Sequence, residues 1–186
     1  GIIADDLSGA AEMAGLAFRY GLEAVVCLQP ESETLKCDVL ILDTDSRALS
    51  KMEAAARLLK AGSELRQKNP DWIYKKVDSV FRGNIAIELE TLSSIWKFNR
   101  TLLIPANPSL GRTIRHGHYY IHDRLLENTD FASDPELATE ISNVVKLLNP
   151  TRARAAVSAK PGGPILEGKI VIGDAHSTDE LSAWAD

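Results

Sequence analysis

The sequence predicts an α/β fold: a mostly parallel open sheet flanked by helices, Rossmann-like, with a β-hairpin insertion near residues 117–126. Three observations predict it. Short apolar runs alternate with stretches of helical period about ten to twenty residues long, the rhythm of strand–helix–strand units feeding a parallel sheet. Polar clusters follow the apolar runs, which is where open α/β sheets place their ligands. The helical stretches also carry start signals: Ser50 with Glu53, and Ser177 with Glu180, each have the spacing of a capping box.

The elements follow in order. Residues 1–4 read as the end of a buried strand, and Asp5-Asp6-Leu7-Ser8-Gly9-Ala10 as a tight turn. A helix comes next, with Leu7, Ala11, Ala14 and Phe18 at helical spacing and Gly21 as its stop. Its small residues suit close approach to a sheet. Strands are expected at 24–28 and 39–42. The box at Ser50 opens a helix with Ala55, Leu58, Leu59, Gly62 and Leu65 on one face, closed by Asn69-Pro70. A strand at 72–77, a helix with Ile85, Leu89, Leu92 and Trp96 on its apolar face, and a strand at 101–104 follow. Residues 105–135 lack a helical period, and 117–126 fit a hairpin turning near His122-Asp123. A helix is expected over 139–148, loop or linker over 149–167, a strand over 169–172 and a helix over 177–185.

The bulk composition bounds the function. The chain has 186 residues, 45% hydrophobic and 25% charged, the make-up of an ordinary globular domain. Its net charge of −5 argues against wholesale binding to nucleic acid or anionic lipid, which takes a basic surface. It leaves room for one small anion in a local basic pocket. No apolar run reaches the ~20 residues of a membrane-spanning helix, and no secretory signal is evident. Cys27 and Cys37 fit neither zinc nor redox spacing. They read as reduced thiols, with the cytoplasm as the expected location. Gly1 already lies inside a strand pattern, so the sequence is expected to be part of a longer natural chain.

Four clusters could carry chemistry: Asp5-Asp6, Asp43-Thr44-Asp45-Ser46-Arg47, Lys75 to Asn84, and Gly111 to His118. Each follows an expected strand, so all four are expected at one sheet edge. They offer Arg47, Lys75, Lys76, Arg82, Arg112 and Arg115 as cations, with aspartates as candidate bases. Such a pocket suits a small polyhydroxy acid: arginine grips a carboxylate with two parallel bonds, lysine binds it as a point charge, and Asp, Asn and Ser bond hydroxyls. Along a strand, Lys76 and Asp78 point to one side and Lys75 and Val77 to the other. The plainer alternative is an ion-pair network with Ser79 capping a helix, and Asp5-Asp6 as favourable charges at a helix N-terminus. His116 and His118 have the alternation of a metal pair, but no third ligand sits at a sensible spacing. Polar contacts to substrate or backbone are therefore expected, and no metal. His122 reads as solvated and His176 as local capping. Residues 163–170 match a phosphate-binding loop only up to its final Ser/Thr, and they precede a strand instead of a helix, so that reading is rejected. Asp43 to Ser46 also resembles the nucleophile motif of haloacid-dehalogenase-type phosphohydrolases, which normally sits on a first strand. It is kept as a less favoured alternative: a magnesium-dependent phosphohydrolase using Asp43.

Taken together, Ile3 to Ala10, Asp43 to Arg47, Tyr74 to Asn84, and Pro105 with Gly111-Arg112-Thr113 resemble the four-carbon acid sugar kinases. The resemblance is to their N-terminal sugar-binding domain, formerly a domain of unknown function, in the same order along nearly the whole chain. The family usually has Thr at Ser8 and Thr-Leu at Val80-Phe81. The second difference removes a hydroxyl. The resemblance implies a sugar-acid kinase, a phosphotransferase acting on threonate, erythronate or their 3-oxo forms with ATP and Mg²⁺. The nucleotide would be held mainly by a C-terminal domain that this chain lacks. Residues 1–150 would form the acid-sugar-binding domain, 151–167 a linker or loop, and 168–186 a strand and helix near the crossover. By this reading the fragment alone is inactive, and a stand-alone acid-sugar-binding module is the alternative from another class. Asp78, with Asp5 and Asp6 as alternates, would be the catalytic base. Arg47, Arg82, Lys76 and Arg112 would hold the carboxylate, and Ser46, Ser79, Asn84 and His118 would complete the substrate site. A small acid sugar is the expected partner, and the sequence admits a homo-oligomer without requiring one.

Overall fold

The computed structural model describes residues 1–28, 36–135, 138–139, 141–148, 156–164 and 170–185. The chain divides into two compact units. Unit one comprises Gly1–Asp78 and Gly83–Lys97, and unit two Ser79–Arg82 and Phe98–Asp186.

Unit one is built on a four-stranded parallel sheet in the order β2-β3-β1-β4: β1 (Ile2–Ala4), β2 (Ala24–Cys27), β3 (Val39–Asp43) and β4 (Tyr74–Lys76). Helices α1 (Leu7–Arg19), α2 (Lys51–Gln67) and α3 (Ile85–Trp96) cover it. Alternation along each strand decides what each face meets. Ile3 and Leu42 pack with Leu58, Ala61, Leu65, Leu92 and Ile95 of α2 and α3. Ile2, Ala4 and Ile41 pack with Ala10 of α1, with Met13 and Ala14 against them. The capping box of α2 is present in both directions, Ser50 with Glu53.

The expected face of α1 is turned, and that of α2 is shifted in part. In α1 the buried residues are Gly9, Ala10 and Ala17, whereas Leu7 and Phe18 are 54% and 79% exposed. The small residues win the sheet side because they let the backbone come close, and the large apolar ones are left outside. In α2 Leu58, Gly62 and Leu65 are buried as expected, while Ala54 and Ala61 are buried in place of Ala55 and Leu59.

Unit two holds a three-stranded parallel sheet, β5-β10-β9, from β5 (Thr101–Leu103), β9 (Ala156–Ala159) and β10 (Ile170–Gly173). The strand after α3 therefore starts a second sheet, and the expectation that all the strands share one sheet is corrected. Strand β9 lies in a stretch expected to be loop. Its alternating Ala-Val-Ser-Ala is too weakly apolar to stand out, and its parallel pairing with β10 makes it a strand. The expected hairpin is present and larger: β6 (Arg112–Arg115), β7 (His118–Ile121) and β8 (Arg124–Leu125) form an antiparallel meander. Both its turns, His116-Gly117 and His122-Asp123, have two successive residues at positive φ, the conformation that follows the twist of a tight hairpin. The expected helix at 139–148 is limited to α4 (Val144–Leu148), because Ser142 and Asn143 are drawn to the meander through Tyr119 N and His118, and Asn143 Oδ1 then caps Lys146 N. The last helix, α5 (Thr178–Ser182), is capped by Ser177. The rejected phosphate-loop stretch falls largely outside the described residues, as do residues 165–169 of the expected linker and strand.

Candidate functional site

Register places the first three clusters together. Ala4 lies level with Asp43 on one side and Lys76 on the other. Asp5-Asp6, Thr44 to Arg47, and Val77-Asp78 therefore leave adjacent strands at the same C-terminal edge, where parallel sheets bind ligands.

Arg47 is the centre of the set. Its Nε and Nη2 donate to the two oxygens of Asp5, at 2.9 and 3.1 Å, the planar fork that guanidinium and carboxylate share. Nη1 donates to Asp6 Oδ2 at 2.7 Å and lies 3.6 Å from Asp78 Oδ1. Asp5 is 2% exposed and Asp78 5%. Burial works against the charged guanidinium, but the Asp5 hydrogen bonds and the charges of Asp5, Asp78 and Asp6 outweigh it, so its pKa is raised. Arg47 thus has carboxylates of its own chain for company. Asp6 also caps α1, accepting from Gly9 N at 2.9 Å. A Cβ on Gly9 would come within 2.8 Å of Asp6 Oδ1 and 3.2 Å of Lys76 Cγ, so this glycine makes room for two site residues. Gly83, at φ +94, lies equally close against Arg47.

The loop after β3 is held from several sides. The backbone N–H groups of Ser46 and Arg47 donate to Asp5 O, and Asn84 Nδ2 donates to Ser46 O and Leu49 O. Asn84 and the wholly buried Ser46 therefore brace the loop. Asn84 occupies the N-cap position of α3 without a side-chain cap, and Ser79 is not that cap. Lys76 points to the α1 face and pairs with Glu12 at 3.1 Å. Lys75 points to the other face and pairs with Glu88 at 2.9 Å. Sequence reasoning passed over Glu88. The available signal was a charge at position 88 of an apolar stripe otherwise made of Ile85, Leu89 and Leu92.

Asp43 stands apart from this set. Burial raises its carboxyl above the ordinary value, a hydrogen bond from Asp45 N opposes the shift, and the charges of Asp45, Asp6 and Asp5 add to it. A raised acid holds its proton more tightly when folded, so stability is greatest below the ordinary carboxylate range and falls as pH rises through the raised value. Asp43→Asn is expected to flatten the stability profile above about pH 4 and to change stability by no more than about 1 kcal/mol. Denaturant midpoints across pH check this, and an unchanged profile would refute it.

In unit two, Arg112 Nη1 donates to Ser79 Oγ, and Tyr119 Oη donates to Ser79 O. Arg82 pairs with Asp134 at 3.3 Å. Phe81 meets Tyr119 edge to face, with ring centroids 5.4 Å apart. His118 donates from Nδ1 to His116 O and accepts from Asn143 at Nε2, the tautomer its partners select. The hairpin turn is clamped by Asp174, which accepts from His116 N, Gly117 N and Ser158 Oγ. Arg115 bonds Asp123, and His176 bonds Glu180 as local capping. Of the four clusters expected at one edge, the structure brings the first two and the Lys75–Asp78 part of the third together in unit one, while Ser79–Arg82 belong to unit two. The fourth belongs to the meander, because the strand before it joined the second sheet.

Residues 1–184 match a family described as a sugar-binding N-terminal domain. The chain belongs to this family. Relatives include a D-erythronate kinase from Heliobacterium modesticaldum, 30% identical over 94% of this chain and 40% of the relative. A D-threonate kinase from Cupriavidus necator is 33% identical over 99% of this chain and 48% of the relative. The chain thus spans less than half the length of these curated relatives. The resemblance to four-carbon acid sugar kinases read from the motifs is borne out. A solved structure from Bordetella bronchiseptica, described as a domain of unknown function with bound citrate and as a domain-swapped dimer, is 28% identical. It has a TM-score of 0.87 and covers 100% of this chain and 49% of its own. Membership of this family replaces the phosphohydrolase reading of Asp43. Among the described residues no helix is long and apolar enough to cross a membrane.

Proposed function

We propose that this chain binds a four-carbon acid sugar of the threonate or erythronate type and forms the substrate-binding part of an ATP-dependent kinase acting on its terminal hydroxyl. The observation that carries the reading is the trio Asp5, Asp6 and Asp78 gathered on Arg47 at the C-terminal edge of the first sheet. Ionised carboxylates accept hydrogen bonds and donate none, so this trio recognises hydroxyls and can receive a proton. The names of the relatives support the substrate class. The citrate in the Bordetella structure supports a site for a hydroxylated carboxylic acid.

The roles divide by environment. Asp5 spends both oxygens on Arg47 and orients the set. Asp6 is shared between Arg47 and the cap of α1. Asp78, whose contact to Arg47 is the longest of the three, takes the proton of the attacking hydroxyl as its oxygen bonds to the γ-phosphorus of ATP and ADP leaves. Lys76 supplies a point charge for the acid's carboxylate. In unit two, Arg82 and Arg112 are proposed to bind anionic groups, with Ser79 and His118 as lesser polar contacts. Among the described residues no group of three His, Cys, Asp or Glu side chains could hold a metal ion. Magnesium that travels with a nucleotide is held largely by the phosphates, and no step here passes through a metal site of this chain. ATP and Mg²⁺ are proposed to be held outside this chain's residues. The free thiols of Cys27 and Cys37 suit the cytoplasm, the location we propose. A homo-oligomer accords with the swapped dimer of the Bordetella protein.

Calorimetric titration with D-threonate and D-erythronate tests the reading. The unaltered chain is expected to bind one of them, and Lys76→Ala to weaken that binding about 10- to 100-fold, the worth of hydrogen bonds to a charged group. Equal affinity in both proteins removes Lys76 from the site. No binding of any four-carbon acid by the unaltered chain removes the reading.

A further inference from the structure

Beneath the carboxylate trio lies a second charged group that no role above uses. Glu88, in the first turn of α3, is 1% exposed. Its Oε2 lies 2.9 Å from Lys75 Nζ, whose side chain is 5% exposed. The contact is an ionic one, without the direction of a good hydrogen bond. Its Oε1 accepts from Ser46 Oγ, which is 2.8 Å from Thr44 Oγ1, and Thr44 Oγ1 can also donate to Ala4 O. Lys75 Nζ donates to Lys76 O at 2.9 Å.

We infer that Lys75 and Glu88 are positioning residues that set the acid-sugar site through Ser46, an inference that rests on the substrate reading above for its ligand but not for its geometry. A buried ion pair contributes little net stability, because the loss of hydration offsets the attraction, and apolar residues of similar volume usually serve as well. Ile85, Leu89 and Leu92 beside it show that this face of α3 otherwise follows that rule. Direction comes from the hydrogen bonds each partner makes to the chain around it, Glu88 from Ser46 Oγ and Lys75 to Lys76 O. The pair ties together three elements that each carry part of the site: β4, which leads to Lys76 and Asp78; the loop after β3, which carries Arg47; and the start of α3, which follows Asn84. Ser46 is next to Arg47, so the Glu88 acceptor fixes the point from which the guanidinium reaches Asp5. The residues act on the site through the loop and touch no ligand.

Stability and site geometry are separable by a double replacement. Lys75→Met and Glu88→Leu, made singly, each leave a buried charge or lose its partner, and both are expected to lower the melting temperature. The double variant is expected to recover most of it. The readout at the site is the Arg47 Nε–H nitrogen–proton signal, assigned by its loss in Arg47→Lys. Its hydrogen exchange is expected to be about tenfold or more faster in the double variant than in the unaltered chain, the factor set by losing one charge-assisted bond. Recovered melting temperature with a fast Arg47 proton supports the inference. A proton as protected as in the unaltered chain overturns it, as does failure of the double variant to be more stable than either single one, which would make the pair structural. Titration of the same proteins with D-threonate then separates the two readings: absence of binding by the unaltered chain counts against the substrate assignment, while the Arg47 signal decides the role of the pair by itself.

Discussion

Replacing Arg47 by alanine is expected to lower stability by about 3–5 kcal/mol and to abolish acid-sugar binding. The stability term comes from Asp5. Its carboxylate is buried, both of its oxygens are bonded by Arg47, and removal of one partner of a buried pair leaves an uncompensated charge. Asp6 and Asp78 lose the same counter-charge while remaining close to Asp5. Arg47→Lys keeps the charge and loses the planar fork, so an intermediate loss is expected. Because the arginine is held protonated even more firmly than a free one, the pair does not titrate from its side at any ordinary pH. Urea unfolding midpoints give the comparison. A loss below about 1 kcal/mol would mean that water replaces the guanidinium and that the trio is not held by it.

Asp78→Asn is expected to lower ATP-dependent turnover of the acid sugar about 10²- to 10⁴-fold in the whole protein, the range that a positioned general base contributes. The substitution preserves volume and one carbonyl acceptor, so the affinity for D-threonate is expected to stay within about tenfold. Asp5 and Asp6 are poorer candidates for the same task. The first is gripped by a fork on both oxygens, and the second is divided between a helix cap and Arg47. Asp6→Asn is therefore expected to reduce turnover less than Asp78→Asn. Rates measured at saturating acid sugar decide between them, and unchanged turnover in Asp78→Asn would transfer the base to another residue.

The sequence by itself determined the parallel α/β class, the cap of α2, the tight turn at His122-Asp123 and the joining of Asp5-Asp6, Arg47 and Asp78. These are local or periodic facts. A run of apolar residues followed by polar ones places its polar end at the strand terminus, and parallel pairing then gathers such termini at one edge. Motif order along the chain also carried the family. What only the tertiary structure decided is which partner each side chain meets. Helical period shows that α1 has an apolar stripe. It does not show that Gly9, Ala10 and Ala17 take the sheet and leave Phe18 in water, since that depends on how near the backbone can come. Strand alternation separates Lys75 from Lys76. It does not show that the first meets Glu88 and the second Glu12, because those carboxylates come from helices on opposite faces of the sheet. Arg47 reads in sequence as a cation for a substrate carboxylate. In the fold it is surrounded by three aspartates, two of them more than forty residues away at the end of another strand. Long-range pairing of charge is settled by which strands lie side by side, and residue spacing along one chain does not record that.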